Sequence, residues 1–254
     1  MQMRSSRVLG KMRQGGLASC IKINLGCPRS TEIAAMCGFD CVWLDMEHVP
    51  NDWSTIEHQI RSAKIYDTDT LVRVARGSYS DYIKPLEADA AGIMVPHLMS
   101  LADAKNVVRQ CRFHPIGRRP LDGGNSDGSF CMIDIDEYIQ SANRERFIIV
   151  QIEDPEPLDD LEAIAELPGI DMIFFGPGDF SQGIGTPGQW DNPLIAATRR
   201  RIAEVCQAKG KFAGTVGGPD AVTELREMGY QFISVGADVV ALSLYYKEML
   251  KAFG

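Results

Sequence analysis

Eight short apolar segments alternate with helix-like segments along the 254 residues, and this alternation predicts a single-domain (β/α)8 TIM barrel. The segments are β-branched or apolar on both faces, as strands covered by helices must be. Ionisable residues gather just beyond several of them, where parallel α/β folds build their sites. An open doubly wound sheet is the alternative, but no Gly-x-Gly-x-x-Gly follows the first strand.

In chain order, residues 1–17 read as a loose N-terminal segment, basic and glycine-containing, which leaves 18–254 for the barrel. Ala18 to Leu25 is the first strand, closed by Gly26-Cys27-Pro28, and a short helix from Thr31 to Cys37 stops at Gly38. The second strand runs from Phe39 to Asp45. Trp53 to Lys64 has apolar residues at helical spacing, and Leu71 to Val74 is the third strand. A helix around Asp81 to Ala88 leads to the fourth strand, Gly92 to Val95, stopped by Pro96. Ser100 to Cys111 is amphipathic, with Leu101, Ala104, Val107 and Val108 on one face. The rhythm then breaks. Residues 113–130 are rich in Gly, Pro, Asp and Asn, and a loop of that length is usually functional or disordered. After a helix at Ile135 to Asn143 the alternation resumes, with strands at Phe147–Ile152, Met172–Phe175, Phe212–Val216 and Phe232–Val235. Helices at Leu158–Glu166, Leu194–Ala208, Asp220–Met228 and Val239–Ala252 follow them in turn, and residues 176–191 read as a loop.

At 45% hydrophobic and 24% charged residues, the composition is that of a soluble globular protein. A net charge of −8 without a Lys/Arg run argues against nucleic acid as a partner. No apolar run approaches the roughly 20 residues that a membrane span requires. No signal-type segment follows the basic start. The seven cysteines are odd in number, form no Cys-x-x-Cys pair and sit mostly in apolar surroundings, which points to a reducing, cytoplasmic compartment.

The strand ends carry the chemistry. The second strand runs out into Asp45-Met46-Glu47-His48, two carboxylates and an imidazole. Arg73 stands at the third, Gln151 and Glu153 at the fifth, and Gly176-Pro177-Gly178-Asp179 follows the sixth. Glu153 and Asp179 lie 26 residues apart on consecutive strands, an oxygen-rich pair that suits a hard divalent cation with open positions. Glycines beside Asp179 let backbone N–H groups approach an anion. Arg73 can polarise a carbonyl or hold a carboxylate. Each has a plainer reading: a helix cap for Glu153, a simple turn for Gly178-Asp179, a structural ion pair with Glu87 or Asp89 for Arg73. Of the four histidines only His48 follows two acids at a strand end. His97, after Pro96, lines the same mouth or only its wall, while His58 and His114 read as structural. Neither a Gly-x-Ser-x-Gly signature nor a Cys/His zinc spacing is present.

These residues also have a familiar order. Phe39-Asp40 through Leu44-Asp45-Met46-Glu47-His48-Val49-Pro50-Asn51 resembles a segment of the HpcH/HpaI aldolase family, the class II pyruvate aldolases. Leu71-Val72-Arg73, Gly92-Ile93-Met94-Val95-Pro96, Val150-Gln151-Ile152-Glu153 and Phe175-Gly176-Pro177-Gly178-Asp179-Phe180 match further blocks in the same order. Ser234-Val235-Gly236-Ala237-Asp238 is similar to the family's last strand, so the match runs from about residue 18 to the C-terminus. The resemblance implies a metal-dependent carbon–carbon lyase. It would cleave a 4-hydroxy-2-oxo acid reversibly to pyruvate, or a close 2-oxo acid, and an aldehyde, through an enolate on Mg²⁺, Mn²⁺ or Co²⁺. By position it implies Glu153 and Asp179 as metal ligands and Arg73 as the stabiliser of enolate charge. Gln151 and the Gly178–Asp179 backbone would orient the carboxylate. His48 would work with a water on the proton of the substrate hydroxyl. Its dyad carboxylate falls on Glu87, where an aspartate is usual. Asp45 and Glu47 would orient waters and His48. The resemblance further implies a homo-oligomer, a hexamer or a trimer, with the terminal helix exchanged between subunits. Leu242, Leu244, Met249, Leu250 and Phe253 suit that exchange, or packing on the chain's own barrel.

Two departures from the family pattern stand out. Lys22 and Asn24 occupy a first-strand end where an apolar or aromatic residue is usual. The loop after His114, usually Pro-x-Gly-x-Arg-Gly, reads Pro115-Ile116-Gly117-Arg118-Arg119-Pro120. Specificity for the aldehyde half is expected here, with Arg118, Arg119 and Lys22 favouring a carboxylated or polyhydroxylated acceptor; the plainer reading is solvated loop charge. Two other outcomes stay open. One is the same metal site used for decarboxylation, as of oxaloacetate, or for cleavage of a CoA-linked acid. The other is a catalytically silent barrel serving as a binding protein. Schiff-base chemistry competes only through Lys22, the one lysine that reads as ending an inner strand.

Overall fold

A computed structural model describes residues 1–254 and closes eight parallel strands into a barrel in sequential order. The strands are β1 (Ala18–Ile23), β2 (Cys41–Asp45), β3 (Asp69–Arg73), β4 (Gly92–Val95), β5 (Phe147–Ile152), β6 (Met172–Phe175), β7 (Phe212–Gly217) and β8 (Phe232–Ala237). Eleven helices accompany them: α1 (Arg7–Arg13), α2 (Pro28–Met36), α3 (Trp53–Lys64), α4 (Tyr79–Glu87), α5 (Leu101–Cys111), α6 (Ile135–Glu145), α7 (Leu161–Glu166), α8 (Pro177–Gly183), α9 (Pro193–Ala208), α10 (Val222–Met228) and α11 (Asp238–Leu250). The predicted (β/α)8 barrel is the observed fold.

The strand period of two sorts the side chains. Val42, Leu44, Val72, Ile93, Val150 and Ile173 turn outward and pack beneath the helices. Cys20, Trp43, Leu71, Met94, Ile149 and Phe174 turn inward and fill the barrel. Two residues further along the inward face come Lys22, Asp45, Arg73 and Gln151, so the same alternation that builds the core delivers these side chains to the mouth. The register sets Asp45 beside Arg73, and Lys22 beside Trp43.

The N-terminal segment differs from the loose chain expected. Ser6 caps α1 by accepting from the Leu9 N–H, and its hydroxyl donates to Asp69 at 2.6 Å. Val8, Leu9 and Met12 then pack under the interior side chains and seal the foot of the barrel. A seven-residue helix has too little apolar period to announce itself; its fold comes from the cavity it fills. The loop expected at 176–191 likewise contains α8, entered at Pro177 and anchored by Phe180 against Phe175, ring centroids 5.3 Å apart. β1 stops at Ile23 rather than Leu25, because the Asn24 and Leu25 N–H groups turn to the Asp238 carboxylate at 2.8 and 3.2 Å.

α11 stands apart from the barrel along most of its length. Val240, Leu244, Tyr245, Tyr246, Met249 and Leu250 are exposed on it, as is Phe253 beyond its end. Beside its first turns an apolar groove of about 520 Å³ stays open, lined by Ile21, Ile23, Ile33, Ala34, Leu242 and Tyr245 among others. No helix is long and apolar enough to cross a membrane.

Candidate active site

At the carboxyl ends of β2 and β3, Arg73 grips Asp45 with two N–H donors, Nε to Oδ1 at 3.0 Å and Nη2 to Oδ2 at 2.6 Å. Its remaining nitrogen, Nη1, lies 3.0 Å from Glu47 Oε2. The Lys22 ammonium reaches the same Asp45 from β1, 2.8 Å from Oδ2. Both cations stand over the Trp43 ring, Lys22 Nζ at 5.0 Å and Arg73 Cζ at 4.9 Å from its centroid, which compensates part of their desolvation. Burial pushes the Asp45 carboxyl upward, but Arg73 and Lys22 outweigh it and hold the group far below the usual carboxylate range. Burial likewise works against the Arg73 charge, and Asp45, Glu47 and Glu153 overcome it. Arg73 is therefore a permanent, immobile positive charge at the mouth.

Two strands on, Glu153 follows β5 and is fully buried. The His97 backbone N–H donates to its Oε1 at 2.9 Å, and the Gln151 amide donates to its Oε2. Asp179, exposed in the first turn of α8, brings a second carboxylate to the same place. Burial drives the Glu153 carboxyl up to about 7, with the Asp179 charge adding to it against the His97 backbone donor. Gly176 makes the approach possible, since a Cβ there would meet Gln151 Nε2 and Glu153 Oε2 at 2.7 Å.

His97 adds a group that the sequence left undecided. Its backbone φ is +47°, uncommon for a residue with a side chain, and that turn aims the N–H at Glu153. The ring Nδ1 sits 2.8 Å from Asp154, while Nε2 faces Glu47 at 3.6 Å and Glu153 at 3.9 Å. Burial opposes the imidazolium, but Asp154 and Glu153 prevail and raise its pKa. Ligand atoms of His97, Glu153 and Asp179 all lie within 4.8 Å of one another. Two carboxylates and an imidazole suit Mg²⁺, Mn²⁺ or Co²⁺. The buried Gln151 Oε1 has no partner, which also marks a place prepared for a polar guest. The residues present thus fit a divalent cation.

The remaining predicted residues fall elsewhere. His48 is on the outer edge of the mouth, more than half exposed, with Nε2 3.6 Å from Glu47 Oε2. Gly178 lies beside Asp179, exposed and with room around it. Glu87 is not near His48. It ends α4, and a helix in this fold returns the chain to the amino ends of the strands. Two residues on, Asp89 is tied to Lys64 and Arg146 at that foot, and the Glu87 carbonyl accepts from Asp127 N–H. Burial raises the Glu87 pKa against the nearby Arg119. Arg119 is buried at the same end, 2.8 Å from Asp127 and stacked on Phe113 at 4.7 Å. Arg118 is exposed near His114 and Leu167, its N–H donating to the Arg109 carbonyl. Both arginines follow α5, which has already run back to the foot, so neither reaches this chain's own mouth. The alternation itself held that signal.

Comparisons with known proteins place the whole chain. The HpcH/HpaI aldolase/citrate lyase family profile matches residues 23–243. A hydroxypyruvate/pyruvate aldolase from Pseudomonas aeruginosa is 29% identical over 249 residues, covering 98% of this chain and 92% of the relative. A 2-keto-3-deoxy-L-rhamnonate aldolase from Salmonella dublin is 31% identical over 224 residues, 86% of this chain and 80% of the relative. Among solved structures, an HpcH/HpaI aldolase from Desulfitobacterium hafniense superposes with a TM-score of 0.90 at 26% identity, covering 96% of this chain and 95% of that one. With strand-end carboxylates, arginine and glutamine in one barrel mouth and a match along nearly the whole length, the chain belongs to the HpcH/HpaI aldolase/citrate lyase family.

Proposed function

We propose that this chain is a divalent-metal aldolase that reversibly cleaves a 4-hydroxy-2-oxo acid to pyruvate, or a close 2-oxo acid, and an aldehyde. By family and by its aldolase relatives it is a lyase. The observation that carries the reading is the convergence of Glu153 and Asp179 at the mouth with Arg73 fixed nearby, the two linked through Glu47 and His97. Glu153 and Asp179 would hold a divalent cation, with His97 close enough to join them, and that ion would supply Lewis acidity at the 2-oxo oxygen.

In cleavage, His48 takes the proton of the C4 hydroxyl, through a water or directly. The C3–C4 bond breaks, its electron pair enters the enolate and the aldehyde departs. Solvent water then supplies a proton to C3, giving the 2-oxo acid, and the proton held by His48 returns to solvent. Arg73 meets the growing negative charge with a cation already locked in place, the condition under which electrostatic stabilisation is strongest. Asp45 and Glu47 fix Arg73, and Gln151 fixes Glu153 while leaving its carbonyl oxygen to the site. Backbone N–H groups at Gly178–Asp179 receive the acid's carboxylate.

His48 and Glu87 lie at opposite ends of one barrel, so the dyad implied for them forms only between copies. The chain accordingly works as a homo-oligomer, a hexamer or a trimer, with α11 exchanged. The open apolar groove and the exposed apolar side chains of α11 support that assembly. Seven unpaired cysteines support a reducing, cytoplasmic setting.

Deuterium exchange from solvent into the methyl group of pyruvate, followed by NMR, tests enolate formation without the aldehyde. Exchange with Mg²⁺, Mn²⁺ or Co²⁺ that stops with EDTA, and that Glu153→Ala and Arg73→Ala abolish, is the expected result. No exchange with any of these metals sinks the proposal. Decarboxylation of an oxaloacetate-type acid passes through the same enolate and fits the citrate lyase side of the family; product analysis separates the two.

A further inference from the structure

Three cations at the foot of the barrel have no part in the reaction just described. Lys105 and Arg109 lie one helical turn apart on α5, Arg118 follows in the segment beyond it, and all three are exposed. The arginines between them and just after them, Arg112 and Arg119, are each tied to a carboxylate, Asp171 and Asp127. Lys105, Arg109 and Arg118 have no such partner. They share the lining of one cavity with His114, no acidic side chain lines it, and Glu166, the acid before its Leu167 wall, is drawn away to Lys209.

The cavity lies between the end of α5, the segment after it and the Leu167–Pro168 turn after α7. Its volume of about 430 Å³ is within the usual range for small-molecule sites. Its walls are closely fitted. A Cβ on Gly117 would meet the Arg112 and Val108 carbonyl oxygens at 2.4 and 2.5 Å, so only glycine lets the segment lie so near α5. The Arg118 N–H donates to the Arg109 carbonyl at 2.6 Å and fixes both arginines at one rim. Helix stability does not account for the cluster. Like charges four residues apart on a helix repel, and Arg109 alone answers the dipole in the last turn. With a net charge of −8 over the chain, the cluster is not part of a generally basic surface either.

Chemistry selects the guest. Two guanidinium groups offer planar forks that match phosphate oxygens, and the ammonium adds a point charge. A phosphate monoester carries about −1.5 to −2 charges at pH 7 and a carboxylate only one, so three cations match a compound with more than one phosphate. Ile116 and Leu167 leave an apolar wall for the rest of such a molecule. We infer that this cavity is a second ligand site, separate from the chain's own mouth, and that it binds a small anion carrying more than one phosphate group.

Calorimetric titration of the intact protein tests it, with EDTA present so that no divalent ion at Glu153 and Asp179 captures the probe. Inorganic pyrophosphate is the first probe; glucose 1,6-bisphosphate and ADP separate a sugar source from a nucleotide one. Pyrophosphate is expected to bind with a Kd below about 1 mM at an ionic strength of about 0.1 M, and Arg109→Gln and Arg118→Gln each to weaken it about tenfold. Both positions are exposed, and a thermal melt like that of the wild type reports that the variants are folded. Arg226→Gln, which removes another exposed cation at the foot, should leave the affinity unchanged. Tighter binding of either organic phosphate than of pyrophosphate would support the site and name its source. No binding by any of the three overturns the inference. So does affinity that survives both Arg109→Gln and Arg118→Gln, as an anion on Arg73 would, or an equal loss in Arg226→Gln, the mark of diffuse charge.

Discussion

Asp45 has no exposed surface yet accepts from two cations, so removing its charge would leave a guanidinium and an ammonium together in a dry pocket. Breaking a buried pair in this way costs about 3–5 kcal/mol, and Asp45→Asn should lose stability on that scale in urea at pH 7. The pH dependence follows from the direction of its shift. Its folded pKa is depressed, so the stabilisation is complete above the unfolded value of about 3.9 and is lost as the pH falls towards the folded value. The wild-type urea midpoint should therefore drop below pH 4, and Asp45→Asn should flatten that acid limb. An unchanged limb would mean that other carboxylates dominate acid unfolding. At this scale the sequence was informative wherever a polar residue directly ends an apolar strand, as Asp45, Arg73, Gln151 and Glu153 do. It left His97 open between the mouth and its wall, because the part of that residue depends on a positive φ and on Asp154, neither of which has a local pattern.

Short elements were the least legible because tertiary contacts, not periodicity, hold them. The helix α1 is the clearest instance: Leu9 and Met12 are almost wholly buried against barrel interior side chains. Truncating a buried leucine usually costs about 2–5 kcal/mol through lost transfer energy and a residual cavity, and Leu9→Ala should fall in that range by chemical denaturation. Pyruvate exchange per folded molecule should persist, since the foot is distant from the mouth. A cost under about 0.5 kcal/mol would show instead that α1 only rests on the surface. The long segment after α5 breaks the alternation visibly, but composition alone does not say at which end of the barrel its arginines lie. A helix that follows a strand reverses direction, so whatever follows the helix begins at the foot, as Arg118 and Arg119 do.

At the scale of the whole molecule, the separation of His48 from Glu87 makes the assembly part of the catalyst in the proposed reaction, and this can be tested directly. Subunits carrying His48→Ala and subunits carrying Glu87→Ala should each be inactive, while an equal co-refolded mixture should regain roughly a quarter of wild-type activity, the statistical share of intact sites in a closed homo-oligomer. No recovery in a mixture of confirmed oligomeric size would place Glu87 outside the reaction. The barrel was legible because eight strands and their covering helices repeat one pattern; subunit arrangement leaves no such period in a single chain. With α1 closing the foot and Trp43, Leu71, Met94 and Phe174 filling the interior, the mouth is the only doorway. Substrate and both products must share it, and Glu153 has no exposed surface there. In the proposed cleavage departure is therefore queued: the aldehyde half, which the Glu153–Asp179 side does not hold, leaves first, and the 2-oxo acid follows.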